Sequence, residues 1–166
     1  MEFYTKKSYF CQENRGNMSY FDWFVKHRHK HASLVAHLHQ QGLTQKEIIR
    51  YFDFENMVEN EPTFCLLYAN KQKCHEMKHL NCYLCACPHF RFQDEGIKKE
   101  EGIVIKSVCA VNSAKSALFI HEGIGHLDCS ACILPHTKAF IEKHFDRDWE
   151  KIMQACLTSP REFLRR

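Results

Sequence analysis

Residues 81–90, NCYLCACPHF, place three cysteines within six positions, followed at once by Pro88 and His89. Cys82 and Cys85 form a Cys-x-x-Cys knuckle, a spacing whose reverse turn lets both sulfurs approach one ion at tetrahedral angles. Cys87 lies two residues further on, and Cys74 precedes the knuckle by eight. A second knuckle, Cys129 and Cys132 in DCSAC, follows about 45 residues later. Histidines accompany both: His75 adjoins Cys74, His79 and His89 flank the first knuckle, and His126 and His136 flank the second. Zinc takes four nitrogen or sulfur ligands in a closed tetrahedron, and this inventory could fill two such sites. Four cysteines alone could instead hold an iron–sulfur cluster, and Pro88 after Cys87 matches the Cys-Pro ending of ferredoxin runs. The Cys-x-x-Cys-x-x-Cys run itself is absent, because the third cysteine comes one position early. Zinc is therefore the preferred metal and a cluster the alternative.

Other stretches invite other chemistry. HEGIGH at 121–126 sets its histidines five apart rather than four, with two glycines in the helix a metalloprotease would need, so protease chemistry is rejected. In KHRHKH at 26–31, His27 and His31 stand one helical turn apart, but the interleaved Lys26, Arg28 and Lys30 predict a solvated face. Cys11, Cys65, Cys109 and Cys156 lie outside the knuckles. None has an evident base and orienting partner, so nucleophilic catalysis finds no support. Cys109 and Cys156 read as small buried residues, whereas Cys65, nine residues before Cys74, could reach the cluster.

These residues need elements to position them. The chain has 166 residues, 45% hydrophobic and 26% charged, with a net charge of +3, so neither disorder nor a strong bias toward polyanions follows. No run of 18 apolar residues suggests a membrane span, and the N-terminal stretch lacks the pattern of a secretory signal. A cytoplasmic protein is expected. There thiols stay reduced, so ten cysteines read as ligands rather than a disulfide framework. From about Asn17 to Gln41, Phe21, Phe24, Val25, Leu34, Val35 and Leu38 recur at helical spacing, with Ser19 or Asn17 as cap and Gly42 as stop. Thr44 and Glu47 then stand as a capping box for a second helix, giving a helical hairpin. A glycine turn between helices over residues 34–52 also admits a helix-turn-helix DNA reader, which the low net charge disfavours. The ligand-rich middle contains strand-like EGIVIKSVCAV and SALFI, and HTKAFIEKHF and DRDWEKIMQACL read as closing helices, with Asp146 capping the second.

The order of NKQKC, NCYLCACPHF and GHLDCSACILPH resembles the cysteine-rich small domain, a prokaryotic family regarded as probable metal-binding. The likeness spans roughly residues 70–136 and implies metal ligands at Cys74, Cys82, Cys85, Cys87, Cys129, Cys132 and His136. This chain departs from the pattern in two places. Between Cys74 and Asn81 it has His75 and His79 but no cysteine, where the family places a Cys-His pair, and a long insertion separates Pro88 from Asp128.

The expected fold is a single α+β, mostly helical domain over residues 1–166. Its parts are a helical region at 1–62, an irregular metal-stapled middle with short strands at 63–136, and C-terminal helices at 137–166. The expected function is non-enzymatic metal binding, structural or regulatory, with a protein partner possible and no membrane. An iron–sulfur protein of redox or catalytic role and a metal-responsive DNA-binding regulator are the alternatives.

Overall fold

A computed structural model describes residues 19–157; Cys11 and the Asn17 cap candidate lie outside them. The fold is α+β. Its helices are α1 (Tyr20–Gln40), α2 (Gln45–Tyr51), α3 (Phe54–Asn60), α4 (Lys138–His144) and α5 (Trp149–Met153), with 3₁₀ turns at Leu66–Asn70, Leu134–His136 and Gln154–Leu157. The strands are β1 (Phe90–Phe92), β2 (Lys98–Glu100), β3 (Ile103–Ile105), β4 (Ser107–Cys109), β5 (Ala117–His121) and β6 (Ile124–Asp128). Among the described residues no helix is long and apolar enough to cross a membrane.

The described residues divide into two compact units, one of 19–25, 88–132 and 153–157, the other of 26–87 and 133–152. The strands belong to the first. β1 pairs antiparallel with β4, and a four-stranded sheet runs in the order β2-β3-β6-β5, with β3 and β6 parallel. Two Glu-Gly pairs make its hairpins: Glu101 and Gly102 take φ of +49° and +85°, and Glu122 and Gly123 take +49° and +76°. Positive φ at both central residues marks the turn whose twist suits paired strands. HEGIGH is thus a hairpin rather than a helix, with His121 on β5 and His126 on β6. EGIVIKSVCAV likewise splits into a turn and the two strands β3 and β4. The first turn of α1 is well satisfied. Ser19 Oγ accepts the Asp22 N–H at 3.0 Å, while the Asp94 carboxylate accepts the N–H groups of Tyr20 at 2.7 Å and Phe21 at 3.1 Å. Cys156 is buried, its thiol 4.0 Å from Met153 Sδ, whereas Cys109 on β4 is half-buried.

The second unit is helical. Gly42, at φ +85°, ends α1 in a turn where Leu43 N–H reaches the Leu38 carbonyl at 3.2 Å. The capping box forms as expected: Thr44 Oγ1 accepts from Glu47 N–H at 3.4 Å and Thr44 N–H donates to Glu47 Oε2 at 2.8 Å. It orients α2 so that Ile48 and Ile49 are buried. Thr44→Ala should lower the stability of this unit by about 1 kcal/mol, read from the urea midpoint, without changing metal content. An unchanged midpoint would show the cap to be dispensable. α5 departs from expectation at its start: Asp148 Oδ1, not Asp146, accepts the N–H groups of Glu150 and Lys151. Asp146 Oδ1 instead accepts from Asp148 N–H, forming the turn before the helix.

The basic stretch of α1 is not a solvated face. Lys26, His29 and Lys30 are exposed, but His27 is 6% exposed and His31 fully buried. Positions 24, 27, 31, 34 and 38 continue one stripe along the helix, and the two histidines fill the gap between its apolar residues. Their rings lie among Phe52, Phe64, Tyr83 and Trp149.

Candidate metal centre

The Cys82–Cys85 knuckle is positioned by Asn81. The Asn81 amide donates to the Ile49 carbonyl at 2.6 Å and to Asp53 Oδ1 at 2.9 Å, and its oxygen accepts the Tyr83 N–H at 2.9 Å. Backbone bonds from Cys82 N–H to the Phe52 carbonyl and from Phe54 N–H to the Leu80 carbonyl, each 2.8 Å, hold the segment against the α2–α3 junction. Asn81 is buried, so its full set of partners matters: losing one would strand a polar atom at a cost of about 1–3 kcal/mol. Within the knuckle, Cys85 N–H reaches the Cys82 carbonyl at 3.3 Å and Cys87 N–H the Leu84 carbonyl at 3.0 Å. Ala86 and Cys87 both adopt positive φ, +86° and +46°. Two consecutive non-glycine residues in this region cost roughly 1–3 kcal/mol each, a strain that typically marks a functional turn.

Cys74, His75 and His136 come together with their ligand atoms all within 4.8 Å of one another. His136 is the best defined. Its Nδ1 lies 2.9 Å from the Asn81 carbonyl, which can only accept, so Nδ1 carries the proton and Nε2 presents a lone pair. That Nε2 is 3.7 Å from Cys74 Sγ. A ring nitrogen fixed by a carbonyl behind it is how metal-binding histidines are normally oriented. Burial, the main cause, pulls the His136 pKa down to about 4, so the ring is neutral at pH 7 and ready to coordinate. His75 also approaches the sulfur, Nδ1 to Sγ 3.1 Å, and its ring sits 4.7 Å from that of His136.

The thiols tell the complementary half. Burial and then the neighbouring Cys65 push Cys74 up to about 12. Cys82 is also raised to about 12, by burial first and further by Cys74, Cys65 and Asp53, while a hydrogen bond from the Tyr68 hydroxyl at 2.9 Å opposes the rise. Without a cation these groups stay protonated at neutral pH. Binding a metal must displace their protons, so affinity falls as the pH falls.

The remaining candidates are placed as follows. Cys85 and Cys87 are half-buried in the knuckle turn, in the same unit as Cys74 and His136. His79 is exposed and acts electrostatically on Glu55. Cys129 and Cys132 belong to the other unit, where Cys132 N–H closes the second knuckle on the Cys129 carbonyl at 2.9 Å and Ser113 Oγ lies 3.9 Å from Cys132 Sγ. His126 there contacts the Tyr20 hydroxyl at 2.7 Å through Nδ1.

No family model, curated protein or solved structure matches this chain.

The geometry alone therefore defines a Cys/His group able to hold a metal ion. Two residues that position it were not singled out from the sequence, Asn81 and Tyr68. The first had a signal, since it immediately precedes the knuckle; the second had none, because only folding brings it to Cys82 across 14 residues.

Proposed function

We propose that this chain is a non-enzymatic metal-binding protein whose centre is built on Cys74, His75 and His136, with the Cys82–Cys85 knuckle beside it. The metal we assign is zinc, because mixed nitrogen and sulfur donors suit it. One observation carries the reading. The buried His136 ring has its proton toward the Asn81 carbonyl and its Nε2 lone pair toward Cys74 Sγ, the orientation that coordination needs. Order of the cysteine blocks, which resembles the cysteine-rich small domain, supports the same reading. So does the thiol state: none of the nine described cysteines is in a disulfide, which fits a reducing cytoplasm.

In this role the ion staples the segment at Cys74 to the 3₁₀ turn at Leu134–His136, and its binding energy adds directly to folding energy. Anaerobically purified protein should be colourless and carry stoichiometric zinc by elemental analysis. Brown protein with iron and sulfide would replace zinc with a cluster. Protein that arrives without metal and fails to compete with a chelator for added zinc would overturn the metal-binding reading itself.

A further inference from the structure

The four-stranded sheet has two edges, and they are built differently. β2 reads Lys98-Lys99-Glu100, all exposed, the kind of charged sequence that keeps an open edge from pairing with another chain. β5 reads Ala117-Leu118-Phe119-Ile120-His121 and carries no lysine, acid or proline. Leu118 is 50% exposed and Ile120 49%. Side chains alternate along a strand, so the two share one face, where Leu118, Ile105 and Ile103 converge over Gly125 at 3.1, 3.3 and 3.5 Å from where a Cβ would stand.

Backbone direction shows which groups of β5 are open. Val104 N–H donates to the Gly123 carbonyl at 3.2 Å and Lys106 N–H to the Gly125 carbonyl at 2.9 Å, so Gly123 and Gly125 turn toward β3. Ile124, His126 and Asp128 therefore turn toward β5, where they pair with His121, Phe119 and Ala117 and use the N–H and C=O groups of those residues. The N–H and C=O groups of Leu118 and Ile120 point the other way. Among the described residues they meet no backbone partner.

We infer that β5 is a self-association edge, on which a second copy of this chain adds its own β5 antiparallel about a two-fold axis at Phe119. The register follows from the open groups. Only outward-facing residues bond across the new junction, and only pairing Leu118 with Ile120 of the second copy uses both in each chain. Phe119 then faces Phe119 of the second copy in a non-hydrogen-bonded pair, where Cα atoms approach to about 4.5 Å and aromatic side chains pack against each other. Charge agrees. Exposed Lys115 precedes β5 and exposed Glu122 follows it, so antiparallel pairing lays the lysine end of each strand against the glutamate end of the other. A parallel copy would align like charges. Pairing consumes the uncharged edge of each sheet and leaves β2 outermost, so association closes at a dimer. This inference is independent of the metal centre.

Sedimentation of the full chain in reductant, from micromolar to millimolar concentration, reads the oligomeric state, and amide hydrogen exchange at both ends of that range reads the register. Interfaces made by short strands are small and weak, so wild type should pass from monomer to dimer within the range. The Leu118 and Ile120 amides should exchange freely when dilute and become protected when concentrated, while the Phe119 amide, held by β6, is protected at both. Ile120→Pro removes an outward N–H without touching a β5–β6 bond and should weaken dimerisation by at least about tenfold. Ile120→Lys, which keeps the backbone and sets a charge at the junction, should also weaken it, and it carries the test if the proline variant does not fold. A wild-type chain that stays monomeric throughout, growth beyond a dimer, open Leu118 and Ile120 amides in the dimer, or dimerisation that survives both variants overturns the inference.

Discussion

His136→Ala is expected to weaken zinc binding by at least about 100-fold, beyond the upper end of what loss of an outer partner alone costs. The ring supplies the one nitrogen whose lone pair is fixed in advance, with Nδ1 bonded to the Asn81 carbonyl and Nε2 3.7 Å from Cys74 Sγ. Removing it leaves only Cys74 and His75 of the tight group, and the metal's share of folding energy goes with it. The thermal midpoint of the metal-loaded protein should therefore fall steeply, while that of chelator-treated protein falls much less. Part of the change is purely structural, because the Asn81 carbonyl loses a buried donor, worth about 1–3 kcal/mol. His136→Gln separates the two contributions. Glutamine still offers an N–H for that carbonyl but is a poor zinc ligand, so its metal-free stability should approach wild type while its zinc affinity stays as low as that of the alanine variant. Zinc affinity within threefold of wild type in both variants would remove His136 from the ligand set.

How much of this arrangement could be read from residue order follows the range of the interactions. The local devices were legible. Both knuckles close as turns, Gly42 ends α1, and Thr44 with Glu47 caps α2, each decided within about four residues. Turns needing unusual conformations were less so: Glu101 and Glu122 adopt positive φ, which glutamate rarely does, and only the glycines beside them hinted at hairpins. Asp148 displaced Asp146 as cap because either aspartate suits the role and only the helix start decides. The long-range pairings were not legible. His136 meets Asn81 across 55 residues, and His31 meets the Tyr83 carbonyl across 52.

The same limit explains the candidate site. Cys74 and His136 stood out by residue type, and folding joined them. Cys65, nine residues before Cys74, could reach the cluster by its place in the sequence, and in the fold it acts electrostatically on Cys74 and Cys82. For α1 the obstacle was different. Lysine and arginine between the histidines disguised an inward stripe as a basic patch, because the pattern of charge and the pattern of burial run on opposite sides of one helix.

That inward stripe sets up the second large effect, loss of stability in mild acid. His27 is pulled down to about 4, by burial first and then by Lys30, and His31 to about 3, by burial, then by His27, against a raising contribution from the Tyr83 carbonyl. The carbonyl fixes the His31 proton on Nε2, at 3.1 Å, and Nδ1 has no hydrogen-bond partner among the described residues. Protonating Nδ1 would place a cation among Phe52, Tyr83 and Trp149 with His27 one turn away. Lys30, also on α1, is the charged side chain that acts on His27. Both folded pKa values lie below the unfolded value near 6.5, so the unfolded chain binds more protons between them. Stability is then fully present above pH 6.5 and is lost as the pH falls toward 4 and then 3. Each proton contributes a slope of about 1.4 kcal/mol per pH unit, so two histidines can remove several kcal/mol from a typical total of about 5–15 kcal/mol. Urea midpoints measured from pH 7.5 to 4.5 should show this slope in wild type and lose close to two protons of it in a His27→Phe, His31→Gln double variant. Acid release of metal acts in both proteins and cancels in the comparison. Equal slopes would mean that the two rings reach solvent before they accept a proton.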